Sequence, residues 1–312
     1  MARAPLTPIL ASRPNPYTGN PLDRADARRS DTAWIDAGRA DPNALYVPLW
    51  RSRSLMRGLA EGQPEGIFLG GSAWANAPWT FPWAFLGLLA DQPVFAVDLS
   101  ASEEPLSLIA AESGTFEDLR SVAGGLPAHQ GAILAHARGL LHWRSRHRFC
   151  GNCGSACDVA NAGHVMICPS CKTHHFPRTD PAVIMLVTAG DEALLGHSTR
   201  FPKATMYSTL AGFVEPGESL EEAVAREVFE ETGVRVGQVI YHSSQPWPFP
   251  ASIMLGFYAE ALTREVTIDP GELMDARWFT REEMLDPGAY GFSLPRGDSI
   301  ARRLIEDWLA AS

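Results

Sequence analysis

Apolar positions along the chain change their period from one region to the next. Between Ala44 and Ser100 they come in short runs, "ALYVPLWRSRSLM", "EGIFLGG", "WAFLGLL" and "PVFAVDLS", broken by Gly and Pro. Such runs predict strands of a small sheet. From Pro105 to Cys150, Leu, Ile and Ala recur at about 3.6-residue spacing, which predicts helices. Further on, "AVIMLVTAG" and "EALLGHS" predict two strands joined by a Gly-Asp turn, and "MYSTLAGF" predicts a third. "SLEEAVAREVFEETG" predicts a helix capped by Ser219, with Glu222 three residues on and Gly233 as its stop. "RVGQVIYHSSQPW" and "SIMLGFYAEA" predict strands, and "DSIARRLIEDWLAA" predicts a closing helix. Residues 1–40, rich in Pro, Arg, Asp and Ala, have weak periodicity and predict a loosely tied arm.

The predicted helix after Ser219 raises a problem of charge. Gly212 to Val234 holds seven glutamates and one arginine. Like charges at helical spacing repel by roughly 0.2–0.5 kcal/mol per pair. Glu227 and Glu231, at i and i+4, stand one above the other, with Glu230 beside Glu227. Three carboxylates so placed can converge on one spot, where a hard divalent cation, Mg²⁺ or Mn²⁺, removes the repulsion. Leu220, Val224 and Val228 supply an apolar side against a sheet, and Arg226 can reach back to Glu218. A solvated, charge-rich surface helix is the alternative, and it suits Glu221 and Glu222.

Cysteine changes the picture next. "CGNC" (Cys150, Cys153) and "CPSC" (Cys168, Cys171) are two C-x-x-C pairs with 14 residues between them. Two such knuckles make a closed tetrahedral Cys₄ site, so Zn²⁺ in a structural role is expected. Disulfides or separate redox pairs are the other readings. Cys157 lies outside the pattern. Five cysteines arranged in this way do not resemble a secreted disulfide framework.

"SQPWPFPAS" (Ser244 to Ser252) packs three prolines, a Trp and a Phe into nine residues. A packed turn is one reading. A rigid aromatic surface for flat rings is the other.

The 312 residues suit two or three domains. A net charge of −10 argues against broad nucleic-acid binding without excluding a local basic patch. "RSRHR" (Arg144 to Arg148) reads as a solvated basic face. No run of about 18 apolar residues marks a membrane span. The N-terminus lacks the apolar segment of a signal peptide, and the expected location is cytoplasmic.

Gly212, Glu218 and "REVFEETGV" together fill every fixed position of the Nudix box, which this segment resembles. "SQPWPFPAS" resembles the signature of the NADH pyrophosphatase branch, whose members place a zinc ribbon before the Nudix domain and a further domain before the ribbon. The resemblance is strong from about Arg144 onward and weak over the first 120 residues. It implies an α+β chain in four parts: an arm (1–40), an N-terminal α+β domain (41–145), a Cys₄ zinc ribbon (146–176) and a Nudix α/β/α sandwich with a mixed sheet (177–312). It also implies metal-dependent hydrolysis of the pyrophosphate of NAD(H) to AMP and nicotinamide mononucleotide. Removal of 5′ NAD caps from RNA and hydrolysis of ADP-ribose are the alternatives within this chemistry. A nucleotide sensor that binds without catalysis is the non-enzymatic rival.

Residue by residue, the resemblance implies Mg²⁺ or Mn²⁺ on Glu227, Glu230, Glu231 and Glu272, helped by the Ala211 carbonyl. Arg226 orients glutamates and Glu218 fixes the loop. Substrate contacts are implied for Gln245, Pro246, Trp247, Pro248, Phe249, Pro250, Ala251 and Ser252, and also for Phe176, Ala301 and Arg120. Core packing is the other reading of Phe176, and an ordinary turn carboxylate that of Glu272. Gly163 departs from members with a substrate-contacting carboxylate at that place. A homodimer with a small dinucleotide substrate, and no membrane partner, completes the expectation.

Overall fold

Alternation decides how the N-terminal sheet is buried. The computed structural model describes residues 14–74, 80–109, 114–201 and 203–311. In chain order this part holds α1 (Thr32–Ala40), β1 (Leu45–Trp50), β2 (Arg53–Arg57), β3 (Glu65–Gly66), β4 (Leu69–Gly70), β5 (Trp83–Leu89), β6 (Gln92–Asp98), β7 (Thr115–Glu117), α2 (Leu119–Val122) and α3 (Ala128–Arg146). The sheet runs β3-β2-β1-β6-β5, with β4 paired to β1 and β7 to β2. Val47, Leu49, Ala84, Leu86, Val94 and Ala96 face one way and pack on Ile133, Leu134, Ala137 and Leu141 of α3. The residues between them, Tyr46, Phe85, Phe95 and Val97, form a second core with Ile35 of α1. A two-residue period on both faces is what a sheet covered on both sides requires.

Two expectations change here. The loose arm is not seen from Asn15 onward, because Tyr17, Leu22 and Ile35 are buried and α1 is capped by Asp31, which accepts from the Trp34 amide. Residues 1–13 of that expected arm lie outside the described residues. Thr115–Glu117, expected in a helix, is strand β7, antiparallel to β2, with Phe116 turned into the core. β-Branched and aromatic side chains beside an open strand edge favour that outcome over weak helical spacing. The cysteine segment adds a three-stranded sheet, β8 (Asp158–Ala160), β9 (Val165–Ile167) and β10 (His174–His175), in the order β10-β9-β8.

Contacts divide the chain into two units, one of Pro16–Thr179 with Trp247–Ala251, the other of Asp180–Pro246 and Ser252–Ser312 with the described residues up to Asn15. The second unit contains β11 (Asp180–Ala189), β12 (Glu192–His197), β13 (Leu210–Phe213), α4 (Leu220–Thr232), β14 (Val236–Trp247), β15 (Ser252–Ala261), β16 (Asp275–Thr280), α5 (Arg281–Leu285) and α6 (Ile300–Ala310). Its sheet is ordered β14-β15-β11-β12-β16, with β13 beside β11. It is mixed, since β15 runs parallel to β11 while β12 and β13 run antiparallel. Val183, Met185 and Val187 pack on Val224 and Val228 of α4. Ile184 and Leu186 pack on Leu304, Ile305 and Trp308 of α6. One strand thus carries both layers, and the unit is an α/β/α sandwich. β16 and α5 had no counterpart in the reading of the sequence.

Candidate active site and metal centres

Helix α4 begins and ends where its sequence dictates. Ser219 Oγ accepts from the Glu222 amide at 3.2 Å while Glu222 Oε2 accepts from the Ser219 amide at 2.7 Å, a reciprocal cap. Gly233 ends the helix at φ 69°, a conformation that glycine adopts without strain. Before the helix, β13 lies against β11 with Gly212 opposite Val183 and Ala211 opposite Ile184. A side chain at Gly212 would place its Cβ 1.8–2.1 Å from the carboxyl atoms of Glu227. The missing side chain is therefore the space in which that carboxylate sits.

Arg226 ties the loop to the helix. Its Nε donates to Glu218 Oε1 at 2.5 Å and its Nη2 to Glu218 Oε2 and to the Phe213 carbonyl, each at 2.9 Å. Its Nη1 reaches Glu227 Oε1 and Glu230 Oε2, both at 2.9 Å. Glu218 also accepts from the Glu215 amide, and with Arg226 this holds its carboxyl down to about 2. One guanidinium orders three carboxylates by bidentate and charge-assisted bonds.

Glu227, Glu231 and Glu272 offer oxygens that all lie within 4.8 Å of one another. The chain brings Glu272 there through backbone bonds to the end of α4. The Thr267 amide donates to the Thr232 carbonyl at 2.9 Å and the Asp269 amide to the Glu231 carbonyl at 3.1 Å. Glu272 then closes a turn on Asp269. Glu230 is not in this group, and its carboxylate, 57% exposed, pairs with Arg226. Glu231 is buried, and its Oε2 has no hydrogen-bond partner. Burial first, then the charges of Glu227 and Glu272, push its carboxyl up to about 8, against a backbone hydrogen bond from Ala211 and the charge of Arg200. Burial likewise raises Glu227, although Arg226 opposes it. An orphaned buried oxygen among three converging carboxylates is a donor set short of one positive charge, and a hard divalent cation fits it.

The four cysteine sulfurs meet the same test for a softer ion. Cys150, Cys153, Cys168 and Cys171 come within 4.8 Å of one another. Sγ of Cys150 lies 3.6 Å from that of Cys171, and Sγ of Cys153 lies 3.4 Å from that of Cys168. A disulfide would need about 2.05 Å. Zinc–sulfur bonds of about 2.3 Å in a tetrahedron put sulfurs roughly 3.8 Å apart. Each knuckle turns through a backbone bond, from the Gly154 amide to the Cys150 carbonyl and from the Lys172 amide to the Cys168 carbonyl. His175 Nε2, 3.3 Å from Cys150 Sγ, was not singled out in the sequence.

The aromatic segment is placed differently by its two ends. Gln245 is fully buried; its Nε2 donates to the Asp298 carbonyl at 2.9 Å and its Oε1 accepts from the Ile300 amide at 2.8 Å. Both ends of its amide thus hold the start of α6, where Ala301 is buried. Pro246 is half-buried, and Ser252 opens β15 in register with Asp180. Trp247, Pro248 and Phe249 belong to the N-terminal unit. Trp247 and Phe249 meet edge to face at 5.0 Å, and Tyr17 packs on Phe249 at 5.8 Å. Phe249 precedes Pro250 through a cis peptide and Ala251 follows. The guanidinium carbons of Arg120 and Arg138 lie 5.3 and 4.9 Å from the Phe249 ring centre. Arg138 also donates to the Pro248 carbonyl at 2.8 Å and to the Ser52 carbonyl. Sequence reading missed Arg138; its only signal was a lone cation within an apolar helical stretch.

Phe176 is 61% exposed, so it is not a core residue. Gly163 has φ +94°, and a Cβ there would come within 2.8–3.1 Å of Ala84 and the Trp83 carbonyl, so no carboxylate side chain can stand at that position without a shift. In the basic run, Arg146 and Arg148 are exposed, whereas Arg144 is half-buried, an exception to the solvated face expected there.

Fold and donor sets together define a metal-dependent hydrolase of the NUDIX class. Residues 178–304 match the NUDIX domain, residues 43–143 the NADH pyrophosphatase-like rudimentary NUDIX domain, and residues 145–176 the NADH pyrophosphatase zinc ribbon domain. The chain belongs to the NUDIX family, in the NADH pyrophosphatase branch with a zinc ribbon. It is 42% identical over 225 residues to the NAD-capped RNA hydrolase NudC of Stutzerimonas stutzeri, covering 72% of this chain and 76% of that protein. It is 44% identical over 198 residues to the NAD-capped RNA hydrolase NUDT12 of Homo sapiens, covering 59% of this chain and 43% of that longer protein. A NUDIX hydrolase structure from Nitrosomonas europaea overlays 52% of this chain and 90% of its own, with a TM-score of 0.44 and 21% identity. Among the described residues no helix is long and apolar enough to cross a membrane.

Proposed function

We propose that this chain hydrolyses the pyrophosphate bond of NAD(H) to AMP and nicotinamide mononucleotide, and the same bond at the 5′ end of NAD-capped RNA. The observation that carries the chemistry is the convergence of Glu227, Glu231 and Glu272 around an unpaired buried oxygen of Glu231. The substrate class is supported by the NADH pyrophosphatase-like domains and by the activity named for the NudC and NUDT12 relatives. NAD(H) and an NAD cap present the same anhydride, so both stand as substrates of one site.

Mg²⁺ or Mn²⁺ would be held by Glu227, Glu231 and Glu272, and when bound supplies the positive charge that hydrolysis of a pyrophosphate requires. The chain itself does the rest. Gly212 leaves room for the Glu227 carboxylate, Arg226 fixes Glu227, Glu230 and Glu218 in place, and Glu230, the most solvent-exposed of the three, can accept a proton from water where it stands. The zinc ribbon is structural, with Cys150, Cys153, Cys168 and Cys171 as its ligands. Phe176 and the Trp247–Ala251 segment belong to substrate selection in this reading, Arg120 and Arg138 by fixing Phe249. Boundaries near residues 145 and 176, a homodimeric state and a cytoplasmic location complete it.

Chromatography of reaction products from NADH, NAD⁺, ADP-ribose and NAD-capped RNA, each with Mg²⁺ or Mn²⁺, tests the proposal. AMP and nicotinamide mononucleotide from NADH, and a 5′-monophosphate RNA from the capped oligonucleotide, are expected. Turnover of ADP-ribose alone would remove it.

A further inference from the structure

Cys157 and His175 have no part in the Cys₄ set or in the glutamate site, yet they meet at one sulfur of the ribbon. Ligand atoms of Cys150, Cys157 and His175 all lie within 4.8 Å of one another, and Nε2 of His175 is 3.3 Å from Cys150 Sγ. This group shares only Cys150 with the Cys₄ set. Backbone bonds from separate segments hold it together. Phe149 and Ala156 form an antiparallel bridge, and the Cys157 amide donates to the Arg148 carbonyl at 2.9 Å, so the first knuckle folds Cys157 back beside Cys150. His175 stands in β10, in register with Met166 of β9. The Cys157 thiol reaches the Ser155 carbonyl only at 3.9 Å. Cys157 is half-buried and forms part of the wall of a cavity of about 700 Å³, so the residue is within reach of solvent.

Two thiolates and an imidazole suit a thiophilic or borderline divalent ion, Zn²⁺ above all, and not the hard cation of the glutamate cluster. Tetrahedral bonds of about 2.3 Å to sulfur and about 2.05 Å to nitrogen set the two atoms roughly 3.6 Å apart. The 3.3 Å between Nε2 and Cys150 Sγ therefore has to open only slightly. Charge favours a second ion as well. Four thiolates around one Zn²⁺ carry two net negative charges, and a second Zn²⁺ that brings in the Cys157 thiolate leaves one. A hydrogen bond from His175 to the Cys150 thiolate would also suit 3.3 Å, but it gives Cys157 no role. We propose that Cys150, Cys157 and His175 form a second metal site, for Zn²⁺ or a similar thiophilic divalent ion, in which Cys150 bridges the two ions and water fills the fourth position. With three protein ligands, one of them shared, this site is the weaker and gives up its ion to mild EDTA while the Cys₄ site keeps its own.

Cobalt titration of the full-length protein tests this. The protein is treated with mild EDTA, desalted, and kept in excess Mg²⁺ so that the glutamate cluster is filled. Thiolate-to-cobalt charge-transfer absorption in the near ultraviolet, with tetrahedral bands in the visible, should saturate at about one Co²⁺ per chain while about one zinc per chain is retained. Cys157→Ser and His175→Ala should each weaken cobalt binding at least about tenfold without changing zinc content. Titration with Zn²⁺ in place of Co²⁺ should raise bound zinc from about one to about two per chain in the parent and leave Cys157→Ser at about one. Absence of thiolate absorption in the parent overturns the proposal, a result that needs no variant to fold. Cobalt uptake matched by an equal release of zinc overturns it too, since that is exchange at the Cys₄ site. So does equal cobalt affinity in the parent and Cys157→Ser, which would return His175 to the role of a hydrogen-bond donor to Cys150.

Discussion

Single side chains decide the glutamate site, and two of them can be tested against close controls. Glu231→Gln keeps size and helix preference but removes the carboxylate whose Oε2 is left unpaired. Turnover of NADH should fall by at least about a hundredfold with the fold intact. Glu222→Gln keeps an oxygen for the Ser219 amide and lies outside the cluster, so turnover should stay near that of the parent. Equal losses in both variants would show that the wrong face of α4 has been assigned. Gly212→Ala should abolish activity, because its Cβ would meet the Glu227 carboxyl group at 1.8–2.1 Å. A crystal structure of that variant would show Glu227 displaced. Arg226 and Glu218 give a pH signature. Glu218 is depressed from 4.5 to about 2, so its tie to Arg226 stabilises the fold above about pH 4.5 and is lost as pH falls toward 2. The melting temperatures of the parent and Glu218→Gln should differ at neutral pH and converge in acid; a gap that widens in acid would contradict the pairing.

At the scale of elements, legibility in the sequence followed the range of the contact. Glu227 and Glu231 could be paired from spacing, because helical geometry alone puts i and i+4 on one face. The cap at Ser219 and the stop at Gly233 were legible for the same local reason. Glu272 was not legible from spacing, since it arrives through backbone bonds from Thr267 and Asp269 to the end of α4. Gly212 was legible as a fixed position of the Nudix box, while its consequence, room for Glu227, depends on two elements meeting. Thr115–Glu117 went to a strand because β2 offered an edge that a local pattern cannot show. The aromatic segment is the hardest case, for Phe249 is surrounded by Tyr17, Trp247, Arg120 and Arg138. Phe249→Ala should therefore lower the melting temperature, by less than the roughly 3–5 kcal/mol of a fully buried Phe→Ala change would imply. If the ring also serves selection, kcat/KM for NADH falls more than that for ADP-ribose. A uniform fall with lower stability would assign the ring to packing alone.

For the whole molecule the two donor sets predict opposite responses to chelation. Four thiolates in a closed tetrahedron hold zinc far more tightly than carboxylates hold a hard cation that must also leave positions for substrate. Each set has one exposed member, Cys153 and Glu272, so the difference between the sites lies in ligand softness and number rather than in burial. Purified protein should carry roughly one zinc per chain that survives mild EDTA. The same treatment should stop turnover, and added Mg²⁺ or Mn²⁺ should restore it without zinc. Forcing zinc out, by stronger chelation or by Cys150→Ser, should act through folding instead. The ribbon sheet β8–β10 is small, and Cys150 Sγ sits against Cys171 and His175, so loss of the ion leaves that region with little apolar burial to hold it. The expected result is a lower melting temperature in Cys150→Ser that added Mg²⁺ does not repair, with activity lost in proportion to unfolding. Elemental analysis after mild EDTA, paired with NADH turnover on the same sample, separates the two sites. Zinc lost together with activity, or full activity in EDTA, would contradict the division of labour between thiolates and carboxylates.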